Sequence, residues 1–341
     1  MAHRITWSST PPEFDKAVFM SCDAGMLLPS CYLGHQILAM ERERDFDVIL
    51  CVTDRSIIPE PLLDIGIRYL EVEPGMVFED LPNSELITPA AYLRLVVIDL
   101  LKDDYHRLLY VDGDIVLRRP GLGELLAAPM EHAVYAAPDA ADFRADKTYE
   151  HYTGPLGLKP EFFYRNSGVL LVDSKAAAET KVMQRVLDYA QANHEKLVHH
   201  DQSALNGALK DDLGLLSLRW NFQVIEPLME WVDRIDPVLL HFVGRQKPWR
   251  APEGSIRHVY RRGYDTFFID HGVSLPAPPA RISKSSKSAR LARIPGKIWR
   301  YLTNPAKALR AKKQWQDETG FEQFEINETR LQAILDAKQA L

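Results

Sequence analysis

The chain has 341 residues (38.8 kDa), of which 46% are hydrophobic and 26% charged, with a formal net charge of −6. These proportions exclude wholesale disorder, a collagen-like repeat and a disulfide scaffold, and the length suits one large domain or two ordinary ones. No stretch approaches the ~18 consecutive apolar residues of a membrane-spanning helix, and Met1 to Pro12 has no apolar core of a secretory signal. Cys22, Cys31 and Cys51 are odd in number and lack C-x-x-C spacing. They read as small buried thiols of a cytoplasmic chain.

In chain order, residues 16–137 alternate short apolar runs with helical patterns, which predicts a parallel α/β sheet. Strands are expected at 16–21 (KAVFMS), 46–53 (FDVILCVT), 67–72, 106–111 (HRLLYV) and 132–137. Helices are expected at 26–42, and from the capping Thr88 with Pro89 at its first position to Leu101. The second half predicts a strand at 168–172, a long helix capped by Ser174 and ending near His194, and a strand at 239–242. The division expected is a catalytic α/β domain at 14–275, a Pro/Ser/Lys-rich linker at 276–293 and a basic helical extension at 294–341, with a helix at 325–341.

Charge is unevenly spread. Eleven basic and no acidic residues lie between His271 and Gln316, leaving 30 basic against 47 acidic elsewhere, a net of about −17. An acidic body repels phosphate backbones, so nucleic acid is not expected as a partner. The basic stretch interleaves Ile294, Ile298, Trp299, Tyr301 and Leu302 with Arg293, Lys297 and Arg300. This composition suits peripheral contact of residues 281–313 with an anionic membrane, at the inner face of the cytoplasmic membrane. A solvated linker whose small helix packs on the body is the plainer alternative.

The sharpest chemical feature is Leu108-Leu109-Tyr110-Val111-Asp112-Gly113-Asp114, an apolar strand delivering two carboxylates at its end. Ligands of α/β sheets bind outside such ends, and paired carboxylates suit a hard divalent cation. Gly113 lets the backbone approach a ligand closely, although an Asp-Gly turn closing a strand is common without any metal. In the run from His241 to Trp249, His241 offers a nitrogen ligand and Lys247 a charge for phosphate. Asn166-Ser167-Gly168 and His200-Asp201-Gln202 set amides, a hydroxyl and a carboxylate where a sugar could be held, or where they merely cap a turn and a helix.

Together these motifs resemble the family 8 glycosyltransferases, which include glycogenin-like and bacterial lipopolysaccharide glucosyl- and galactosyltransferases. The resemblance covers about residues 17–249 and rests on Asp23, Tyr92-Leu93-Arg94-Leu95, Asp112-Gly113-Asp114, Asn166-Ser167-Gly168, His200-Asp201-Gln202 and His241-Phe242-x-Gly244-x-x-Lys247-Pro248-Trp249. It implies a GT-A-type, Rossmann-like α/β domain with a mixed, mostly parallel sheet, a UDP-glucose or UDP-galactose donor, a saccharide acceptor, Mn²⁺ or Mg²⁺, and retention of anomeric configuration. By the same resemblance, Asp112, Asp114 and His241 would hold the metal, and Gly244 and Lys247 would contact the diphosphate. Arg94, Asp139, Asn166, Asp201 and Gln202 would line the donor sugar, with Gln202, Asp201 and Asp139 as catalytic candidates. Asp23 and Met26 would lie on the nucleotide side, where Met26 stands in place of the family's usual Tyr.

Retention then proceeds by front-face attack, with Gln202 and Asp201 positioning and stabilising, because an amide is a poor nucleophile. Two rival readings are weaker. One is a nucleotide-sugar-binding protein without catalysis. The other is a haloacid dehalogenase-type phosphatase, whose D-x-D motif sits near the start of its domain rather than about 110 residues into it. The segment between Phe143 and Phe163, rich in Tyr and His, is expected to shape the acceptor side.

Overall fold

The computed structural model describes residues 3–75, 90–139, 146–159, 162–225, 228, 231–244, 247–251 and 257–274. The capping Thr88 and Pro89, the linker, the basic segment and the helix expected at 325–341 lie outside them.

Within the first half, strand β1 (Arg4–Ser8) is followed by β2 (Lys16–Ser21), helix α1 (Leu27–Met40), β3 (Asp47–Val52), β4 (Arg68–Glu73), α2 (Ala90–Leu101), β5 (Arg107–Val111), β6 (Ile115–Leu117), α3 (Leu122–Leu126) and β7 (Val134–Pro138). The second half holds α4 (Asp146–Thr153), β8 (Arg165–Asp173), α5 (Ser174–Glu179), α6 (Val182–Ala192), α7 (His200–Leu209), β9 (Leu213–Leu215), β10 (Phe222–Gln223), α8 (Val232–Ile235), β11 (Leu239–His241) and α9 (His258–Asp270). Eight strands form one sheet in the order β1-β4-β3-β2-β5-β8-β7-β9, and β10-β11-β6 form a small second sheet. Strands β4, β3, β2 and β5 run parallel, whereas β8 runs antiparallel to β5 and β7.

The central strands read as unbroken apolar runs because both faces are covered. In β2, Val18 and Met20 belong to one core, with α1, the small sheet and α9; Ala17 and Phe19 belong to the other, with α2, α6 and α7. All four are fully buried, and cutting a residue such as Phe19 to Ala costs about 3–5 kcal/mol. The three thiols are free and buried, and burial pushes the Cys31 thiol up to about 12.

Two expectations shift. The helix expected from Ser174 to His194 is two helices, α5 and α6, broken where Lys181 takes a left-handed φ of 51°. Its cap is Asp173, whose carboxylate accepts the Ala176 N–H at 2.9 Å, while Ser174 is already helical and buried. Strand β8 begins at Arg165, three residues earlier than expected, so Asn166 and Ser167 are strand residues. Strand β1, pairing antiparallel with β4 at the sheet edge, and helix α9, whose Tyr264 is buried against Tyr32 and Trp249, were not expected at all.

Candidate active site

Topology gathers the site on one rim. Because β8 is antiparallel to β5 and β7, its first residues meet the last residues of both neighbours: Val111 pairs with Val169, and Pro138 with Arg165. The Asp112 N–H continues the ladder to the Gly168 carbonyl at 2.8 Å. The chain then turns into β6, which pairs antiparallel with β11 so that His241 faces Ile115. The Phe242 N–H donates to the Asp114 carbonyl at 3.1 Å.

These ladders set His241 Nε2 3.2 Å from Asp114 Oδ1 and 3.7 Å from Asp112 Oδ2. One ligand atom from each of the three residues lies within 4.8 Å of the others. Neighbouring ligands around an ion with bonds of ~2.1 Å sit roughly 3 Å apart, so the spacing fits a small divalent cation. The packing fits it as well. A Cβ on Gly168 would stand 2.4 Å from His241 Cε1 and 2.7 Å from Asp112 Oδ2, so only glycine leaves room for both ligands. The Asp114 carboxylate already draws a cation, the ammonium of Lys247. Burial pushes the Asp114 carboxyl up, but His241 and Lys247 outweigh it and hold its pKa well below the usual carboxylate range.

Arg94, buried on α2, ties this cluster to α7. Its Nη1 donates to the Ser167 carbonyl at 2.7 Å and lies 3.2 Å from Asp112 Oδ1. Its Nε lies 3.6 Å from Asp201 Oδ2, and the guanidinium covers the Tyr110 ring at 4.4 Å. Burial works against the Arg94 charge, but Asp112 and Asp201 outweigh it and raise its pKa. Tyr110 donates its hydroxyl to Asp112 Oδ1 at 2.5 Å. Among the described residues, none donates a hydrogen bond to the buried Asp201 Oδ2. Burial raises the Asp201 pKa, with Arg94 opposing and Asp112 adding to the rise.

The third group joins Asp139, Asn166 and Gln202. Asn166 Nδ2 donates to Asp139 Oδ2 at 2.9 Å and to Gln202 Oε1 at 3.0 Å. Gln202 Nε2 reaches the same Asp139 oxygen at 3.2 Å. One turn further along α7, Asn206 accepts the Arg165 N–H and donates to the Arg165 carbonyl, both at 2.8 Å. These bonds pin the helix to β8 and deliver Gln202 to Asn166.

On the α1 side, Asp23 Oδ1 accepts the N–H groups of Gly25 at 2.9 Å and Met26 at 3.2 Å, opening the helix. Ser30 Oγ and Met26 Cε press on Gly113, 2.2 Å and 3.4 Å from where a Cβ would stand. Gly244 turns the chain at a φ of +79°, and Lys247 Nζ also donates to the Phe242 carbonyl at 3.0 Å. Between Phe143 and Phe163, Tyr152 of α4 lies against the rings of His199 and Tyr164.

These bonds and contacts bring Met26, Arg94, Asp112, Gly113, Asp114, Asp139, Asn166, Asp201, Gln202, His241 and Lys247 together at one rim. Asp23 lies three residues before Met26, and Gly244 three before Lys247. Sequence reasoning missed Tyr110, which reads as one more apolar strand residue, and the buried Asn206 and Asn221, which sit in no motif.

The family model described as "Glycosyl transferase family 8" matches residues 28–253, more than half of the chain. The chain belongs to glycosyl transferase family 8. With that family the phosphatase reading falls. General stress protein A of Bacillus subtilis (strain 168) is 30% identical over 251 residues, 66% of this chain and 82% of that protein. Lipopolysaccharide glucosyltransferase WaaO of Escherichia coli (strain K12) is 29% identical over 189 residues, 51% of this chain and 53% of that protein. The chain therefore spans about half the length of some curated relatives in the family. The crystal structure of the galactosyltransferase LgtC in complex with donor and acceptor sugar analogs shares the fold, with a TM-score of 0.59, 18% identity, and coverage of 80% of this chain and 99% of that one. GlyE of Streptococcus pneumoniae TIGR4 is similar at a TM-score of 0.50 and 18% identity, covering 78% of this chain and 66% of that one. The fold of this family 8 member is thus of the GT-A type. Among the described residues no helix is long and apolar enough to cross a membrane.

Proposed function

We propose that the chain is a retaining, metal-dependent hexosyltransferase that moves glucose or galactose from a UDP-sugar to a saccharide acceptor of the lipopolysaccharide or cell-surface class. One observation carries the reading: Asp112, Asp114 and His241 converge within 4.8 Å of one another, beside the hydrogen-bonded group of Asp139, Asn166 and Gln202. Family membership supports glycosyl transfer, and relatives named as lipopolysaccharide glucosyltransferases support the acceptor class.

In this reading Asp112, Asp114 and His241 hold Mn²⁺ or Mg²⁺, which supplies positive charge against the departing diphosphate. Lys247 adds a fixed cation at the same side, and Gly244 lets the backbone close on the diphosphate. Asp23 and Met26 face the nucleoside, and Gly113 lets the chain approach it. Arg94, Asp139, Asn166, Asp201 and Gln202 bind and orient the sugar. Gln202 and Asp201 lie closest to its reacting carbon and stabilise the positive charge that develops there during front-face attack. Residues 281–313, outside the described structure, contact an anionic membrane at the inner face. Deleting the chain after residue 280 then abolishes partitioning onto anionic vesicles.

Calorimetry of UDP-glucose, UDP-galactose and GDP-mannose, with and without Mn²⁺, tests the donor site. Metal-dependent binding of a UDP-sugar that is lost in Asp114→Asn is expected. Absence of binding by all three overturns the reading, and binding without transfer to any saccharide reduces it to that of a binding protein.

A further inference from the structure

Asn221 is fully buried, follows Trp220 at the end of a short 3₁₀ turn, and leads into β10. Its Oδ1 lies 2.9 Å from His241 Nδ1, and its Nδ2 donates to Asn166 Oδ1 at 2.8 Å. Its side chain therefore bonds both to His241, on the metal side, and to Asn166, which holds Asp139 and Gln202.

Which way each amide faces follows from groups that admit no choice. The Gly168 backbone N–H can only donate, and it points at Asn166 at 3.0 Å, so the Asn166 atom there is Oδ1. The other Asn166 atom, Nδ2, then meets the Asp139 carboxylate, which accepts. The Ser167 N–H fixes Gln202 Oε1 in the same way, at 3.2 Å. Asn166 Oδ1 can only accept from Asn221, so Asn221 turns its NH₂ toward Asn166 and its Oδ1 toward His241. For Asn221 Oδ1 to be satisfied, His241 Nδ1 must carry a proton. A neutral His241 then has its lone pair on Nε2, the nitrogen that faces Asp112 and Asp114.

We infer that Asn221 is a positioning residue that fixes His241 as the Nδ1–H tautomer, readies Nε2 for a divalent cation, and links that ligand through Asn166 to Asp139 and Gln202. The inference rests on the metal site of the proposed function. Groups that hold the far nitrogen of a ligating histidine set its ring orientation and its basicity. Here the support extends further, because every donation runs in one direction: His241 to Asn221, Asn221 to Asn166, and Asn166 to the Asp139 carboxylate. Charge placed on His241 strengthens each bond of such a chain in turn. A cation held at one end thereby tightens the orientation of Gln202 at the other.

The experiment is a Mn²⁺ titration followed by electron paramagnetic resonance, on full-length wild type, Asp114→Asn, Asn221→Ala and Asn221→Asp, with donor turnover measured in parallel. Wild type binds Mn²⁺ and Asp114→Asn does not. Asn221→Ala binds about 10- to 100-fold more weakly. Asn221→Asp keeps an acceptor for the Nδ1–H and so keeps Mn²⁺ affinity within a few-fold, but it faces Asn166 Oδ1 without a donor, and kcat falls at least 10-fold. Wild-type affinity in a folded Asn221→Ala overturns this inference and leaves the metal reading standing. No Mn²⁺ binding by wild type overturns the metal reading, and this inference with it. A second measurement needs no variant. Without added metal, at a pH where the ring is neutral, the long-range ¹⁵N–¹H spectrum of histidine-labelled protein shows His241 protonated at Nδ1. A ring protonated only at Nε2 overturns the inference.

Discussion

Each end of strand β5 carries an aspartate close to a histidine, and the two pairs are almost equally short. Before the strand, His106 Nδ1 lies 3.1 Å from Asp15 Oδ2, with the two side chains 53% and 74% exposed. Beyond it, Asp114 Oδ1 lies 3.2 Å from His241 Nε2, with side chains 8% and 4% exposed. Distance does not separate a surface ion pair from a candidate metal centre; the surroundings do. Water and dissolved salt screen the first pair, and such pairs contribute about 0–1 kcal/mol. At the second, water is largely excluded, and the groups around it arrive from α2, β5, β8, β11 and the turn before β10, each already held by a further bond.

The comparison can be broken from either end. Asp114→Asn removes a ligand from the dry cluster and lowers donor turnover at least about 100-fold, beyond what supporting residues alone contribute; metal-dependent turnover near the wild-type rate would show that burial there serves packing. Gly168→Ala keeps every ligand but pushes a methyl between His241 and Asp112. Overpacking of about 1–3 kcal/mol should weaken Mn²⁺ binding roughly 10- to 100-fold in the same resonance titration.

A pair of intermediate exposure, Arg107 with Asp173, lies at the first end of β5, where the two residues also face each other in the ladder. Asp173→Ala should lower stability to urea by about 1 kcal/mol at pH 7 through loss of the α5 cap. Burial raises the Asp173 pKa, but the Ala176 N–H and Arg107 outweigh it and bring it below the ordinary value. Its contribution is therefore complete above the unfolded pKa of about 3.9 and fades as pH falls through the lower folded value. The gap from wild type should narrow at pH 3, and a gap that widened would contradict the sign. Smallest of all, His106→Ala should move stability by less than about 0.5 kcal/mol and leave metal affinity untouched.

The same contrast explains what the sequence could say. Strands buried on both faces announce themselves, and KAVFMS gives β2 at its observed bounds. Asp112, Asp114 and His241 were legible because each ends an apolar run with a chemically loaded residue. Strand β1 was not, since RITWS is only partly buried and its polar residues look like a terminus. The break between α5 and α6 hides in Thr180-Lys181, residues that an unbroken helix also accepts; only the left-handed backbone at Lys181 gives it away. Asn221 and Asn206 were invisible for another reason. An asparagine inside a core is defined by the partners that satisfy it, and those partners include Asn166 and Arg165, 55 and 41 positions away along the chain. Tyr110 went unread because a tyrosine in a strand counts as apolar until its hydroxyl is seen to bond Asp112.

The antiparallel pairing of β6 with β11 also has a consequence in time. It brings together Asp114 and a histidine made 127 positions later. At about 5–20 residues per second, a ribosome adds His241 roughly 6 to 25 seconds after Asp114. Until then β6 lacks its partner strand and the cluster lacks its nitrogen. A chain cut short before His241 contains all eight strands of the large sheet, yet it presents two acids and no third ligand. Assembly of the three-residue cluster therefore reports that synthesis has passed residue 241.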